Sequence, residues 1–303
     1  MLDDRLTEQR NPRSAAIDRL SSLEIVRVIN AEDARVAAAV GGEAEAIARA
    51  VDLALAAFRD GGRLIYVGAG TSGRLGVLDS TEMPPTYGTD PGMVQGVIAG
   101  GFAALVRAQE GAEDHPADGA AAMDEKGVGP EDFVIGIATS GTTPYVHGAL
   151  ARAREKGAWT GFLLCTPPPP ALVEEHDVVI APLTGPEVIT GSTRMKAGTA
   201  TKMVLNTITT AAMVRFGKVD GNLMVDLQVT CAKLQDRGER ILMVTLGIGR
   251  PEAHELLARA GGHVKTALVM HRLRLDAEAA RAALKGVGGV ISALDGGAQE
   301  AKV

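Results

Sequence analysis

The sequence has few aromatic residues and no excess of positive charge. Only 3% of its 303 residues are Phe, Trp or Tyr, so it offers few of the stacking platforms that single-stranded nucleic acid needs. The formal net charge of −6 also argues against nucleic acid or an anionic membrane as a main partner. Any anionic ligand must therefore be held by a local site.

Cysteines and long apolar runs are equally scarce. Cys165 and Cys231 lie far apart in the chain, so no disulfide framework is expected and a reducing cytoplasm is the expected compartment. No stretch approaches the roughly 20 apolar residues of a membrane-spanning helix, and residues 1–12 contain no apolar segment typical of a secretory signal. The six histidines show no paired ligand spacing, so neither a metal nor another cofactor is expected.

The apolar residues that are present, 46% of the chain, form short runs that alternate with helical patterns. Five runs predict strands, and each run is continuous rather than alternating, which is typical of a parallel sheet covered on both faces. We therefore expect an α/β fold with a doubly wound, mainly parallel five-stranded sheet. The predicted strands are Leu64–Val67, Met93–Ile98, Phe133–Ala138, Thr160–Cys165 and Val178–Ala181.

Helical patterns precede and follow this predicted sheet. Residues 1–60 predict an N-terminal helical segment that packs on the core, and residues 61–222 predict the domain that contains the sheet. Within that domain a long helix is expected from Ser192 to Phe216. Residues 223–303 predict a C-terminal helical region, in which one helix spans 223–246 and shorter helices follow.

The most distinctive stretch is Gly68–Glu82, GAGTSGRLGVLDSTE, which follows the first predicted strand and opens a helix. Such a turn suits an anion, because its backbone N–H groups and the helix dipole both favour negative charge. Gly68, Gly70 and Gly73 also match the dinucleotide-binding spacing. That alternative requires an acidic residue at the end of the second strand, where the sequence has 99–101, Ala-Gly-Gly. A purely structural glycine-rich turn is a further alternative.

A second turn of the same kind favours the anion site. Residues 140–143, Ser-Gly-Thr-Thr, also follow a buried strand and open a helix. Loops at the carboxyl ends of neighbouring strands converge on one crevice in a doubly wound sheet, so the two turns could surround one phosphate with neutral donors. The segment Gly191–Gly198 adds hydroxyls and two cations at another helix start. Serine and threonine at such positions are also ordinary helix caps.

Longer motifs resemble one family. TEQRNP (7–12), GAGTSGRLGVLDSTEMPPTYG (68–88), EGAED (110–114) and GSTRMKAGTA (191–200) are similar to motifs of the N-acetylmuramic acid 6-phosphate etherases. The resemblance implies a sugar isomerase (SIS) fold, a small C-terminal domain similar to ubiquitin-associated (UBA) domains, and a homodimer. It also implies cleavage of the lactyl ether of a small-molecule sugar phosphate, N-acetylmuramate 6-phosphate. The products would be N-acetylglucosamine 6-phosphate and D-lactate, formed during cell-wall recycling.

The resemblance also implies roles for particular residues. The family's two catalytic glutamates correspond to Glu82 and Glu113. The sequence does not distinguish acid from base, although we favour Glu82 as proton donor to the lactyl oxygen and Glu113 as base. From pattern alone, either glutamate could equally be a solvated surface residue. Contacts with the phosphate and the sugar are implied for Thr71, Ser72, Ser140, Thr143, Glu187 and Ser192.

Two carboxyl groups fit the chemistry of this ether. Opening of the sugar ring places C2–H beside an aldehyde and makes it acidic. A base and a proton donor can then eliminate lactate before water adds back at C3.

The sequence departs from the family pattern at two places. Thr142 stands where the family usually has an arginine, and the proline run 167–170 replaces a polar, glycine-containing loop. Two other functions stay open: a non-catalytic phosphosugar-sensing regulator and an aldose–ketose sugar-phosphate isomerase.

Overall fold

The computed structural model describes residues 5–226, 229, 232–287 and 289–294. Short 3₁₀ helices occur at Leu6–Glu8, Pro12–Ser14, Ile17–Arg19 and Ile291–Ala293. The helices and strands are, in chain order, α1 (Ser22–Asp33), α2 (Val36–Gly41), α3 (Ala44–Arg59), β1 (Leu64–Gly68), α4 (Gly70–Thr81), α5 (Met83–Tyr87), β2 (Val94–Ile98), α6 (Ala103–Val106), α7 (Pro116–Glu125), β3 (Phe133–Ile137), α8 (Pro144–Glu155), β4 (Trp159–Leu163), α9 (Pro170–Glu175), β5 (Val178–Ile180), α10 (Lys196–Arg215), β6 (Val219–Asp220), β7 (Leu223–Met224), α11 (Ala232–Leu246), α12 (Arg250–Arg259), α13 (Val264–Leu273) and α14 (Ala277–Gly286).

The chain divides into two compact units. The first comprises Met1–Glu82 and Pro91–Thr209, and the second comprises Met83–Asp90 and Thr210–Val303. In the described part of the chain, no helix combines the length and apolar character needed to cross a bilayer.

The first unit contains a five-stranded sheet with the strand order β2-β1-β3-β4-β5. Every neighbouring pair is parallel, so the prediction of an α/β fold with a parallel five-stranded sheet is confirmed. Both β1 and β3 are buried at all five positions, which explains their continuous apolar runs. The chain passes from β1 outward to β2 and then returns to the other side of β1 as β3. The β1/β3 boundary is therefore the switch point at which such sheets bind ligands.

Helix α4 lies very close to the sheet because two glycines leave room for it. A Cβ atom at Gly73 would lie 2.6 Å from Ile98 Cγ1 and 2.7 Å from the Gly68 carbonyl oxygen. A Cβ atom at Gly76 would lie 2.8 Å from Tyr66 Cβ. Because real Cβ atoms do not approach other atoms this closely, side chains at these positions would displace the helix. Gly73, part of the dinucleotide-like spacing, thus serves the packing of α4 on the sheet.

Helices α7 and α8 form a second close contact in this unit. A Cβ atom at Gly119 would lie 1.9 Å from the Tyr145 carbonyl oxygen, and one at Gly148 would lie 1.9 Å from the Pro116 carbonyl oxygen. The two helix backbones therefore touch at reciprocal glycines. This contact fixes the start of α7, and with it the segment that leads into α7.

The second unit has its own apolar core, formed by α11–α14 around fully buried side chains such as Leu242, Leu257 and Leu268. The predicted helix over 223–246 is wrong in its first part. Strands β6 and β7 pair antiparallel there, and α11 begins only at Ala232. Gly221 and Asn222 form the two-residue turn between the strands, and Gly221 has a φ of +55°, which suits a tight hairpin turn. Residues 295–303 of the predicted C-terminal region lie outside the described residues, and the similarity of that region to UBA domains stays a prediction.

Candidate functional site

A pocket of about 520 Å³ lies in the first unit where the turns that follow β1 and β3 meet. Thr71 and Ser72 line it from the first turn, and Ser140 and Thr143 line it from the second. Glu113 lines the same pocket. The structure therefore brings together five of the residues that the sequence analysis proposed for one site.

The first turn opens α4 toward this pocket. Ala69, at the N-cap position, is extended (φ −121°, ψ 155°) and has no side chain that could cap the helix. Gly70 has a φ of +53°, a conformation that favours glycine. The first N–H groups of a helix have no acceptor within it, so the start of α4 combines these donors with the hydroxyls of Thr71 and Ser72.

The second turn opens α8 in a similar way. Gly141 has a φ of +78°, and its carbonyl oxygen accepts a hydrogen bond from His147 Nε2 at 2.8 Å. Thr143 is the N-cap residue, but its side chain makes no capping hydrogen bond. Ser140 Oγ and Thr142 Oγ1 lie 3.0 Å apart. Both predicted turns therefore place hydroxyl groups and a helix N-terminus at one pocket, as an anion site requires.

Glu113 lies on the segment between α6 and α7. Its backbone carbonyl oxygen accepts a hydrogen bond of 3.0 Å from the N–H of Tyr145, in the first turn of α8. The residue itself is exposed. This hydrogen bond and the close packing of α7 on α8 hold Glu113 beside the second turn.

Glu82 lies at the opposite end of α4, as its C-cap residue. It is exposed and is not among the described residues that line the pocket. Glu82 lies twelve positions after Gly70, which at 1.5 Å per residue is roughly 18 Å along the helix axis. The pocket of one chain thus has Glu113 in its described lining but not Glu82, and a joint role for the two glutamates stays a prediction.

A buried carboxyl group fixes the last turns of α4. Asp79 Oδ1 accepts hydrogen bonds from Asn206 Nδ2 at 2.6 Å and Thr209 Oγ1 at 3.2 Å. Asp79 Oδ2 accepts one from the hydroxyl of Tyr66 at 3.2 Å. Burial raises the pKa of Asp79, and these hydrogen bonds only partly oppose that effect. Asp79 thereby joins α4 to both β1 and α10, and Glu82 follows it by three residues.

Glu187 is buried and caps a third helix. Its Oε2 accepts a hydrogen bond from the N–H of Lys196 at 3.0 Å, and its Oε1 accepts one from the N–H of Ala197 at 2.9 Å. Burial raises the pKa of this carboxyl group, while the two N–H groups act in the opposite direction. This cap explains why α10 begins at Lys196 and not, as the sequence predicted, at Ser192.

Ser192 lies in the turn just before α10, and its backbone N–H donates to the Ile189 carbonyl oxygen at 3.0 Å. Its two neighbours, Gly191 and Thr193, line the pocket. Ser192 and Glu187 are themselves absent from the described lining. Direct contacts between these two residues and a substrate stay predictions.

Lys196, one of the two cations in the third segment, forms a buried ion pair. Its Nζ lies 2.6 Å from Glu32 Oε2 and also donates to the Thr184 carbonyl oxygen at 2.9 Å. Asn11 Nδ2 donates to the same Glu32 oxygen at 2.8 Å. Burial acts to raise the pKa of Glu32, but the bonds from Lys196 and Asn11 leave it below its usual value. The pair thus joins the N-terminal segment to the start of α10.

Three charged residues that the sequence analysis did not propose also line the pocket: Arg5, Glu8 and Asp114. Arg5 Nη1 donates to Thr142 Oγ1 at 3.2 Å across 137 positions of sequence. No sequence pattern signals so remote a contact, although Glu8 belongs to the TEQRNP motif. Among the described residues, no three His, Cys, Asp or Glu side chains form a cluster that could hold a metal ion. The expectation that the site uses no metal stays a prediction.

Known proteins resemble both the fold and the sequence. The family model of the glucokinase regulatory protein N-terminal SIS domain matches residues 46–154. A Bacteroides fragilis protein assigned as a phosphosugar isomerase involved in capsule formation has a TM-score of 0.50 and 21% identity. That match covers 64% of this chain and 91% of the other, and it shows a shared fold.

Sequence relatives cover nearly the whole chain. The N-acetylmuramic acid 6-phosphate etherase of Crocosphaera subtropica is 54% identical over 275 residues, which is 90% of this chain and 89% of the relative. That of Salinibacter ruber is 53% identical over 290 residues, which is 96% of this chain and 93% of the relative. The resemblance that the sequence motifs suggested is confirmed, and the chain belongs to the N-acetylmuramic acid 6-phosphate etherase family.

Proposed function

We propose that the protein cleaves the lactyl ether of N-acetylmuramate 6-phosphate, as a carbon–oxygen lyase that releases D-lactate. The observation that carries this proposal is the pocket itself, in which Glu113 lies with two turns suited to a phosphate. Membership of the etherase family supports the choice of substrate. The phosphate would bind at the starts of α4 and α8, with Thr71, Ser72, Ser140 and Thr143 as donors.

The reaction needs a base and a proton donor in sequence. The base removes the proton from C2 of the ring-opened sugar, and this electron pair forms a double bond to C3 as the C3–O bond breaks. The donor protonates the departing lactate oxygen. Water then adds its hydroxyl at C3 while C2 regains a proton, so the sum is ether plus water to alcohol plus lactate. Each proton transfer by a positioned carboxyl group contributes typically 10²- to 10⁴-fold to the rate.

Glu113 suits the role of base because it belongs to the pocket that would hold the substrate. Glu82 suits the role of proton donor only if it reaches that pocket from a second copy of the chain. This assignment is supported by the length of α4, which separates Glu82 from the start of the helix at the pocket by roughly 18 Å in the same chain. The proposal therefore includes a homodimer in which each site combines Glu113 of one copy with Glu82 of the other. The reaction would take place in the cytoplasm, where sugar phosphates are metabolised.

The test is to measure D-lactate released from N-acetylmuramate 6-phosphate without added metal or nucleotide. We expect release by the wild-type protein and strong loss of activity in Glu82→Gln and Glu113→Gln. In deuterium oxide, the product should carry deuterium at C2. A folded protein that releases no lactate at high concentration would contradict the activity, and a product without deuterium would contradict the elimination mechanism.

A phosphosugar-sensing regulator is the second candidate, favoured by the match of residues 46–154 to a domain of glucokinase regulatory protein. Such a protein would bind a sugar phosphate without turning it over. Thermal stabilisation by N-acetylmuramate 6-phosphate without lactate release would support that function. Interconversion of hexose 6-phosphates without lactate would instead indicate an aldose–ketose isomerase.

A further inference from the structure

Another pocket of the first unit is lined by more positive than negative charge. Its volume is about 700 Å³, and it is formed by residues 11–13, the end of α1 with the start of α2, the loop 183–186 and the start of α10. The charged residues of the described lining are Arg13, Glu32, Arg35 and Lys196. Three cations therefore face one carboxylate, in a protein whose formal net charge is −6.

The carboxylate in this lining already has a cation of its own. Glu32 and Lys196 are both buried, and Lys196 Nζ lies 2.6 Å from Glu32 Oε2. Burial acts to raise the pKa of Glu32, but its contacts, led by the hydrogen bond from Lys196, leave it below its usual value. Arg13 contributes less to this lowering than Lys196 does. The charge of Glu32 is thus balanced chiefly by Lys196, and the two arginines are the surplus positive charge of the described lining.

The two arginines converge from different parts of the chain. Arg13 Nη1 lies 3.2 Å from Glu32 Oε1, and Arg35 Nη1 lies 4.0 Å from the same oxygen atom. Their side chains are 60% and 59% exposed, so both guanidinium groups are accessible to a ligand in the pocket. The fork of five N–H donors on a guanidinium matches the paired oxygens of a carboxylate or phosphate. An anion bound to both groups would also reduce the repulsion between them.

The backbones of both arginines are held in place. The N–H of Arg13 donates to Asn11 Oδ1 at 2.9 Å, and Asn11 Nδ2 donates to Glu32 Oε2 at 2.8 Å. The N–H of Arg35 donates to the Glu32 carbonyl oxygen at 3.2 Å. Glu32 therefore organises the positions of both residues. Such preorganisation lowers the entropic cost of binding, because less of the site must become ordered around a ligand.

Most of the uncharged lining is apolar. A bare inorganic ion would leave this surface uncovered, whereas the carbon skeleton of an organic anion would cover it. The pocket volume also lies in the range of roughly 300–1,000 Å³ that is typical of sites for small molecules. The apolar members of the lining are Pro12, Ala34, Ala38, Ala39, Leu183 and Pro186.

We propose that this pocket binds a small organic dianion, a dicarboxylate or a phosphate monoester, whose oxygens accept hydrogen bonds from Arg13 and Arg35. Two guanidinium groups match the charge of such a ligand, since a phosphate monoester carries between one and two negative charges at neutral pH. The described lining shares no residue with that of the candidate functional site. The inference is therefore independent of the proposed etherase activity.

The test is calorimetric titration of the full-length protein with succinate and with glycerol 3-phosphate. We expect saturable binding of at least one of them, with a dissociation constant on the order of 1 mM, that weakens as the salt concentration rises. The tighter of the two identifies the ligand class. Acetate, which carries a single charge, should bind at least about tenfold more weakly, because it cannot satisfy both guanidinium groups.

Four variants locate this binding. Arg13→Gln and Arg35→Gln should each weaken it about tenfold or more, the range for loss of a hydrogen bond to a charged group. Arg13→Lys should weaken it less, because a lysine keeps the charge but lacks the planar fork. Arg27→Gln is the matched control: Arg27 is an exposed arginine of α1 outside the described lining, and its replacement should leave binding unchanged. Circular dichroism checks that each variant is folded.

A titration with Ser140→Ala separates the two pockets of this unit. Because Ser140 lines the candidate functional site, its replacement should leave the binding that depends on the arginines unchanged. Failure of both dianions to bind saturably would overturn the proposal, as would equal weakening by Arg27→Gln and Arg13→Gln. Binding that persists in both arginine-to-glutamine variants and is lost in Ser140→Ala would place the anion in the candidate functional site, and would overturn it as well. None of these results bears on lactate release, which tests the proposed function separately.

Discussion

Mixing the two inactive variants Glu82→Gln and Glu113→Gln should restore activity. Helix α4 begins at the pocket with Gly70 and ends at Glu82, roughly 18 Å farther along its axis. The active site that we propose, which uses both glutamates, therefore combines two chains. In a mixed dimer, one site would hold the two intact glutamates and the other site would hold both replacements.

The size of the recovery follows from this arrangement. Random exchange of equal amounts of the two variants makes half of the dimers mixed, and half of the sites in each mixed dimer are intact. The mixture should reach about a quarter of the wild-type lactate release per chain, since a two-fold interface makes its two sites equivalent. The assay is D-lactate release after co-refolding, with each variant alone giving the baseline. Multi-angle light scattering checks that the species formed are dimers.

A second mixture tests the shared site independently. Wild type exchanged with an equal amount of the double variant Glu82→Gln/Glu113→Gln should keep about a quarter of full activity if sites are shared, but about half if each chain is self-sufficient. No recovery in the first mixture together with half activity in the second would refute the shared site. A monomer that is fully active would refute it as well.

Three further predictions concern groups outside the proposed reaction. Lys196→Met should lower the free energy of unfolding in urea by about 3–5 kcal/mol because it leaves Glu32 buried without its ammonium partner, and the double change with Glu32→Leu should recover most of this loss. Burial, with the charge of Arg154, lowers the pKa of His176 to about 4. As the pH falls below about 6.5, His176 therefore takes up a proton in the unfolded protein but not in the folded protein. The contribution of neutral His176 to the free energy of unfolding is therefore complete above pH 6.5, and it falls as the pH drops toward 4. After allowance for partial exposure it amounts to roughly 1–2 kcal/mol, and the difference between wild type and His176→Gln in urea unfolding at pH 7 and pH 4.5 measures it. Burial raises the pKa of the Cys165 thiol to about 12, so peptide mass spectrometry should find iodoacetamide on Cys165 only after unfolding.

The sheet was predictable from sequence because a parallel strand covered on both faces leaves a continuous apolar run. Phe133–Ile137 is such a run, and all its residues are buried. The hairpin β6–β7 was not found, since its strands have only two residues each and apolar periodicity needs longer segments. The Asp-Gly-Asn sequence at 220–222 was the available local signal, because it favours a tight turn.

The site was predictable to the extent that its residues lie in turns next to strands. Thr71 and Ser140 are brought together because their strands are neighbours in the sheet. The sequence could not show that the Glu187 carboxyl group caps the N-terminus of α10, because this contact depends on the fold of the loop between Glu187 and α10. Nor could it place Arg5, whose contact with Thr142 spans 137 positions. The sequence marked position 142 as a departure from the family pattern, and the structure adds that an arginine from another segment lies against it.

The close packing of α4 on the sheet restricts how this site can change. A Cβ atom at Gly73 would lie 2.6 Å from Ile98 Cγ1 and 2.7 Å from the Gly68 carbonyl oxygen. Even an added methyl group at this position would therefore push the helix outward. Such a shift would move Thr71 and Ser72 away from the pocket, so activity would fall before the protein lost its fold. Laboratory evolution toward other sugar phosphates should therefore accept few changes on the inner face of α4. We expect accepted changes to accumulate in the segments around Arg5 and Thr142, where side chains can be exchanged without moving a helix.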